Sequence, residues 1–206
     1  NPTILSVQRD YMAGEWSRYY TNKYLLPEDI REANDNGLIH FHDADYFAQH
    51  MHNCDLINLE DMLQNGTCIS GTHIDKPHSF LTACTVTSQI VAQVASSQYG
   101  GQSITLSHLA PFVDESRKKI AARLKAELST SNIPVNQDQL NHLVEQEVYK
   151  EIEAGCQTIQ YQLITLQSTN GQAPFVSVFM YLHEVPEGQT RKDLATIIEI
   201  RLKQRI

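Results

Sequence analysis

Between residues 40 and 55 the chain gathers four histidines, one cysteine and three acids, in His40-Phe41-His42-Asp43-Ala44-Asp45 and then His50-Met51-His52-Asn53-Cys54-Asp55. Neutral imidazole, thiol and carboxamide groups at the ends of short apolar runs are what a site uses to hold a polar substrate and to move protons or hydrogen atoms. Two chemistries compete. His40 and His42 are two apart, so on a strand both imidazoles lie on one face, as in metal-dependent hydrolases. Such a hydrolase would need further ligands from His73, His78, His108, His142 or His183, of which His108 and His142 sit in helical patterns. With no paired cysteine and with those later histidines ill matched, no metal is expected at His40 and His42. Cys54 is flanked by His52, Asn53 and Asp55, a polar setting suited to redox or radical work. A lone cysteine is ordinarily a small buried hydrophobe, and Cys68, Cys84 and Cys156 are read that way. Cys84 and Cys156 fall on apolar helix faces, where desolvation raises a thiol pKa and leaves it inert.

The elements that must position these groups are mixed α and β, with helices in the majority. Residues 4 to 22 read as an aromatic-rich helix. Pro27-Glu28-Asp29 opens a short helix that Gly37 closes as a left-handed cap. Residues 38 to 41 are a strand candidate carrying the imidazoles at its end, and Leu56-Ile57 is a second short apolar run followed by an acidic turn, 58 to 61. Residues 79 to 98 place Phe80, Ala83, Cys84, Ile90, Val91, Val94 and Ala95 at helical spacing. Its many small residues predict close approach of another backbone, with Gly100-Gly101 as the stop. Helices are expected over 106 to 128 and 139 to 166, joined by a polar connection containing Pro134. The second carries an apolar stripe from Leu140 through Val144, Val148, Ile152, Cys156, Ile159 and Leu163 to Leu166, which implies a core face or an interface. Thr169-Asn170-Gly171-Gln172 signals a turn, residues 174 to 181 a buried strand, and residues 190 to 206 a helix whose Arg and Lys residues mark a solvated face.

Composition narrows the classes. The 206 residues are 41% hydrophobic and 19% charged, enough for one sizeable core. A net charge of -8 argues against a nucleic-acid surface. No apolar run reaches the roughly 18 residues of a spanning helix. Asn1-Pro2-Thr3-Ile4 lacks the basic and apolar regions of a signal peptide, so a cytoplasmic setting is the default expectation. Four cysteines without a C-x-x-C pair disfavour a disulfide framework and a zinc ribbon. The chain starts without Met and stops inside a helical pattern at Arg205-Ile206, which suggests a piece of a longer protein.

The run His52-Asn53-Cys54-Asp55-Leu56-Ile57-Asn58-Leu59-Glu60-Asp61-Met62-Leu63, with Asn65-Gly66-Thr67 after it, resembles the anaerobic ribonucleoside-triphosphate reductases, the glycyl-radical class of ribonucleotide reductase. Further blocks match in order: Ile39-His40-Phe41-His42-Asp43-Ala44-Asp45, Lys76-Pro77-His78-Ser79-Phe80, Gln98-Tyr99-Gly100-Gly101-Gln102-Ser103, Leu109-Ala110-Pro111-Phe112 and Asn170-Gly171-Gln172-Ala173-Pro174-Phe175. The resemblance implies an α/β fold, the first part of a ten-stranded α/β barrel of the glycyl-radical enzyme type, with long helices forming a dimer interface. Residues 1 to 206 would be a partial catalytic domain, with an ATP-cone upstream and the thiyl and glycyl-radical regions downstream, outside this chain.

What the resemblance implies for chemistry is anaerobic reduction of ribonucleoside triphosphates to deoxyribonucleoside triphosphates, regulated by ATP and deoxynucleoside triphosphates. In the family a glycyl radical, generated by a separate S-adenosylmethionine/iron-sulfur activase, oxidises a cysteine to a thiyl that abstracts the 3′ hydrogen of the substrate. A second cysteine, with formate or a redoxin as reductant, supplies the reducing equivalents for loss of the 2′ hydroxyl. Cys54 stands in the motif of that second cysteine. Asn53 resembles the amide that holds substrate or formate, and His42 or His40 the histidine lining the same pocket. The radical residues and a zinc site would lie downstream, so this chain alone would be inactive. The long helices would form a homodimer with a deoxynucleoside triphosphate effector at the seam, for which His78, Gln89 and Lys118 are candidates. No nucleic-acid or membrane partner is implied. Two alternatives are a metal-dependent hydrolase using His40 and His42, and a helical interaction module without catalysis, which leaves Asn53 and Cys54 unexplained.

Overall fold

An apolar stripe at spacings of three and four has to be buried, and it is this stripe that organises the molecule. The computed structural model describes residues 5–49, 52–98, 100–131, 134, 136–166 and 173–205. Within them lie seven α-helices: α1 (Leu5–Tyr20), α2 (Glu28–Asp35), α3 (Leu59–Gln64), α4 (Phe80–Ala95), α5 (Pro111–Thr130), α6 (Gln137–Thr165) and α7 (Gln189–Lys203). The strands are short: β1 (Asp55–Leu56), β2 (Thr67–Ile69), β3 (Thr72–Ile74), β4 (Gln102–Thr105) and β5 (Val176–Phe179). The class is therefore α/β and mostly helical, as the sequence implies. The turn signal at 169 to 172 lies outside the described residues.

Helix α6 packs against α4, α5 and α7, and Val144, Val148, Ile152, Cys156 and Ile159 are all buried. The stripe is thus spent inside the chain. What α6 leaves outward is Leu143, Tyr149, Tyr161 and Ile164. Helix α4 packs closely on α6, as its small residues predict, and a Cβ on Gly155 of α6 would lie 2.6 Å from Phe80 Cε1 and 2.9 Å from Cys84 Sγ, so side chains of α4 reach the α6 backbone where only glycine leaves room. Asn136 starts α6 with a capping box, its Oδ1 accepting from Gln139 N at 2.8 Å while Gln139 Oε1 accepts from Asn136 N at 3.1 Å.

Strands β1, β4 and β5 form a parallel sheet in that order, with Asp55 beside Gln102 and Gln102 beside Val176. Helix α4 lies in the first crossover and α5 with α6 in the second, the arrangement that parallel strands require. One face of the sheet meets the helices: Gln102 and Ile104 are buried, and Gln102 donates from Nε2 to the Val91 carbonyl of α4 at 3.0 Å. The opposite face carries Leu56, which is 81% exposed. No helix among the described residues is long and apolar enough to cross a membrane.

Several local expectations are corrected. Residues 38 to 41 are not a strand. Gly37 adopts φ 70° as the left-handed cap, and the Leu38 and Ile39 amides bond back to the Ala33 carbonyl at 2.9 and 3.3 Å. Phe41 N donates to Asn34 Oδ1 at 2.9 Å, so the end of α2 uses the donors a ladder would need. Residues 58 to 61 are the start of α3 rather than a turn, because Asn58 Oδ1 accepts from Asp61 N at 3.3 Å and caps it. Helix α5 starts at Pro111, whose missing N–H suits a first turn, after a 3-10 segment Leu106–His108. Strand β5 is buried on one face only: Val176 and Val178 are half-buried, Ser177 and Phe179 exposed. Cys68 is exposed, on the β2–β3 hairpin opposite His73. On α7, Arg201 is not on a solvated face but buried, donating to Gln160 of α6.

Candidate functional site

Three segments start together at one edge of the parallel sheet: residues 52 to 54 before β1, residues 100 to 101 before β4 and residues 173 to 175 before β5. Cys54 immediately precedes β1 and is exposed, with its Sγ 3.6 Å from Asn53 Oδ1, within reach for weak S–H donation to that amide oxygen. The preceding turn is held on both sides. His52 forms a parallel bridge with Gln98, and its Nδ1 lies 3.1 Å from Asp55 Oδ1. The Asp55 amide donates to the Gly101 carbonyl at 3.1 Å.

The glycine doublet explains how a cysteine turn can sit so close to β4. A Cβ on Gly100 would lie 1.8 Å from the Asn53 carbonyl oxygen and 2.2 Å from its Oδ1, distances no side chain tolerates. A Cβ on Gly101 would lie 2.8 Å from Phe175 Cδ1. The doublet, read from sequence as a helix stop, is instead the contact surface between the Asn53-Cys54 turn and the start of β5. Helix α4 ends earlier, at Ala95. Gly100, Gly101 and Phe175 were not singled out as site residues from sequence. Their signal was two glycines directly ahead of a β-prone run, a pattern that marks close backbone approach.

Cys84 and Cys156 are both buried. Burial pushes the Cys84 thiol well up and the Cys156 thiol up to about 12, so neither is a nucleophile at neutral pH. Cys54 alone couples exposure with an adjacent carboxamide contact.

The other candidates make contacts of their own. His40 and His42 are exposed, their rings edge to face at 6.0 Å, and His42 Nδ1 lies 2.5 Å from Asp43 Oδ2. No hydrogen bond or ion pair among the described residues joins either imidazole to Asn53 or Cys54. No group of three or more His, Cys, Asp or Glu among the described residues could hold a metal ion. His78 and Gln89 are exposed, one just ahead of α4 and one along it. Lys118, on α5, lies 2.7 Å from Asp114 and 3.6 Å from Glu115. Its hydrogen bond to Asp114 and the two carboxylate charges raise its pKa. Lys118 borders a cleft of about 270 Å³ between α5 and α6 that also holds Asp114 and Glu145. Arg117 lines the cleft as well, but its guanidinium is committed to Glu145 and Asp193, as Lys118 is to Asp114 and Glu115, so among the described residues no uncommitted cation in the cleft is offered to a triphosphate.

A parallel sheet with helical crossovers, bringing a thiol, an amide and a glycine doublet to its strand starts, defines the class: an α/β protein with its polar cluster at a sheet edge. Two solved chains share the fold, the anaerobic ribonucleotide reductase of Thermotoga maritima in complex with dATP and CTP (TM-score 0.60, 17% identity, covering 95% of this chain and 32% of that one) and the same organism's enzyme with dATP in the specificity site (TM-score 0.55, 16% identity, 98% and 33%). The profile of the family described as anaerobic ribonucleoside-triphosphate reductase matches residues 1–206. Curated relatives of that name are 40% identical in Escherichia coli strain K12, over 84% of this chain and 24% of the relative, and 35% identical in Enterobacteria phage T4, over 85% and 28%. The chain belongs to the anaerobic ribonucleoside-triphosphate reductase family. It spans about a quarter of the length of these relatives.

Proposed function

We propose that the whole protein reduces ribonucleoside triphosphates to deoxyribonucleoside triphosphates by radical chemistry, and that this chain contributes a reducing thiol and its substrate-holding neighbours. Residues 1 to 206 are the first part of the catalytic domain in this reading, with the radical-bearing regions downstream. The observation that carries it is the Asn53-Cys54 turn, exposed at the sheet edge and fixed against Gly100. Replacing the 2′ hydroxyl by hydrogen takes two reducing equivalents. Cys54 gives the first as a hydrogen atom and is left a thiyl; formate, oxidised to CO2, or a dithiol redoxin, oxidised to its disulfide, then restores the Cys54 thiol and supplies the second, so that the reductant is the net source of both. The Asn53 carboxamide, already beside the thiol, holds the polar edge of the sugar or the formate. His42 or His40 lines the same pocket in this reading. A glycyl radical made by a separate activase with S-adenosylmethionine and an iron-sulfur centre would start the reaction, and a family zinc site would lie downstream.

Cys54→Ala in the full-length protein is expected to abolish deoxynucleotide formation while the glycyl radical still forms, read by electron paramagnetic resonance. Undiminished reduction in that variant would remove Cys54 from the reaction. The finer reading includes a homodimer regulated by ATP and deoxynucleoside triphosphates, with His78, Gln89 and Lys118 as effector candidates. The outward residues of α6 support a helical interface.

A further inference from the structure

We infer that the pocket between α6, α7 and β5 receives an acidic side chain, an Asp or Glu carried by a part of the same polypeptide outside residues 1 to 206, whose carboxylate pairs with Arg201 and Arg205. Cys54 has no part in it.

The two guanidiniums lack a counter-ion. Arg201 is only 6% exposed. A guanidinium offers five N–H donors, yet among the described residues this one makes a single hydrogen bond, to the neutral amide oxygen of Gln160. Arg205, four residues on, is exposed and close enough for its charge to act. Burial first, and then the Arg205 charge, lower the Arg201 pKa. Among the described residues neither arginine lies within ion-pair distance of a carboxylate. The acids along and just ahead of α7 are taken by other cations: Glu187 by Arg191 at 3.1 Å, Asp193 by Arg117 at 2.6 Å and Glu199 by Lys203 at 2.5 Å. The stretches outside the described residues contain no Asp or Glu at all. The last turn of a helix favours a cation, which accounts for Arg205 at the surface. It does not account for Arg201, because a charge taken out of water needs an opposite charge beside it.

The walls of the pocket say which kind of anion fits. Arg201, Arg205 and Gln160 line a cavity of about 250 Å³ together with the apolar side chains of Leu163, Pro174 and Val176. A hydrated phosphate gains nothing from those apolar walls. An aspartate or glutamate gains from both parts, its methylenes against the hydrocarbon and its planar carboxylate against the planar guanidinium, a bidentate match. Arg201 is buried in the fold at all times, so its counter-ion has to be present at all times. A group on the same polypeptide meets that demand through its high effective concentration, whereas a dissociable ion leaves the charge bare whenever it departs. The source is available. The matched span is 24% of the Escherichia coli relative and 28% of the phage T4 relative, so most of a family member's length lies outside it.

The test uses the full-length protein. Arg201→Met strands the acid without its partner, and the melting midpoint is expected to fall by several degrees at about pH 8. That loss is expected to shrink as the pH falls to about 5.5, since an orphaned buried carboxylate has a raised pKa and takes up a proton. Arg205→Lys, at the exposed arginine, adds an amine that a zero-length carbodiimide joins to a carboxylate in contact with it. Mass spectrometry is expected to find residue 205 joined to an Asp or Glu outside residues 1 to 206, in protein that still runs at monomer mass. If Arg201→Met fails to fold, this cross-link decides alone. Its absence in a digest where Lys203 is joined to its neighbour Glu199 would overturn the inference. So would a midpoint raised by Arg201→Met at every pH, the mark of a charge that had no partner, or a loss indifferent to pH, the mark of packing alone. Stabilisation of the wild type by millimolar inorganic phosphate, abolished in Arg201→Met, would overturn it in favour of a free anion, and a cross-link to a second subunit in favour of an acid on the partner.

Discussion

Two kinds of cysteine share this chain, and their difference is set by solvent. Cys54 and Cys68 are exposed, Cys84 and Cys156 buried. Cys156 lies on α6 with its Sγ 3.8 Å from the Ile197 carbonyl of α7, inside the helical core. Burial is the main cause of its raised pKa, opposed by the nearby Arg201 charge. The consequence for stability has a definite sign. In the unfolded chain the thiol loses its proton above 9.0, whereas in the fold it keeps it to about 12. The stabilising contribution is therefore complete below pH 9 and is lost as pH rises toward 12, at about 1.4 kcal/mol per pH unit. Urea unfolding of the wild type and of Cys156→Ala checks this. The penalty for the substitution is expected to shrink by about 2 kcal/mol between pH 8 and 10.5. A penalty independent of pH would mean that the thiol is not desolvated. Gly100 teaches a related lesson at the same scale: its residue type is dictated by Asn53, a neighbour in space, and the glycine doublet ahead of a β-prone run marks a close approach without naming the partner.

At the scale of elements, the crossing of α4 and α6 is the tightest joint in the core. Gly155 faces Phe80 and Cys84 at distances that leave no room for a methyl group. Gly155→Ala is expected to destabilise the protein by about 1–3 kcal/mol through overpacking, despite alanine's better helix propensity. Combining it with Phe80→Leu should recover part of that loss, because the two sites share one contact; additive costs would show that the clash is relieved elsewhere. A second joint ties α5 to α6 and α7. Arg117 donates to Asp193 at 2.6 Å and to Glu145 at 2.7 Å. Burial works against the Arg117 charge, but the hydrogen bonds to Asp193 and Glu145 outweigh it and raise its pKa. The long helices were legible in the sequence because α4, α6 and α7 carry many turns of apolar period, and the small residues of α4 already pointed to close packing. The strands were not. Two to four residues have no measurable period, and β4 was missed because Gly100-Gly101 looked like the end of a helix. The hairpin of β2 and β3 turns on Ser70 and Gly71, both at positive φ, and its alternation is too short to register. Asn53 and Cys54 stood out by chemistry; their supports did not, because the reason for each is a contact across the sheet.

For the whole molecule the decisive question is how the apolar surface left outside the core is used. The α6 stripe does not hold two subunits together, since its buried members already pack on α4, α5 and α7. A homodimer would have to use the outward set, in which Tyr161 is 66% and Ile164 62% exposed. Each such side chain is worth about 1.5–3 kcal/mol when fully covered, so a few per subunit suffice for a micromolar association only if little else is lost on docking. Charge acts the other way: with a net -8 in this chain alone, like-charged copies repel, and a triphosphate at the seam adds to that repulsion unless basic groups receive it. Lys118 cannot do so alone, held as it is by Asp114 and Glu115. An effector that bridges two subunits must therefore draw cations from both, and its binding free energy is then shared with association. Linkage makes the effect reciprocal: if a deoxynucleoside triphosphate tightens the dimer about tenfold, dimerisation tightens the nucleotide about tenfold as well. Sedimentation of the full-length protein at several protein concentrations, with and without dATP, measures the first factor, and nucleotide titration above and below the dimer midpoint measures the second. Equal factors are expected, together with a weaker coupling in His78→Ala or Gln89→Ala if those side chains reach the nucleotide. A dimer constant unmoved by millimolar dATP would separate the helices from regulation and leave the Cys54 edge as the functional part of this chain.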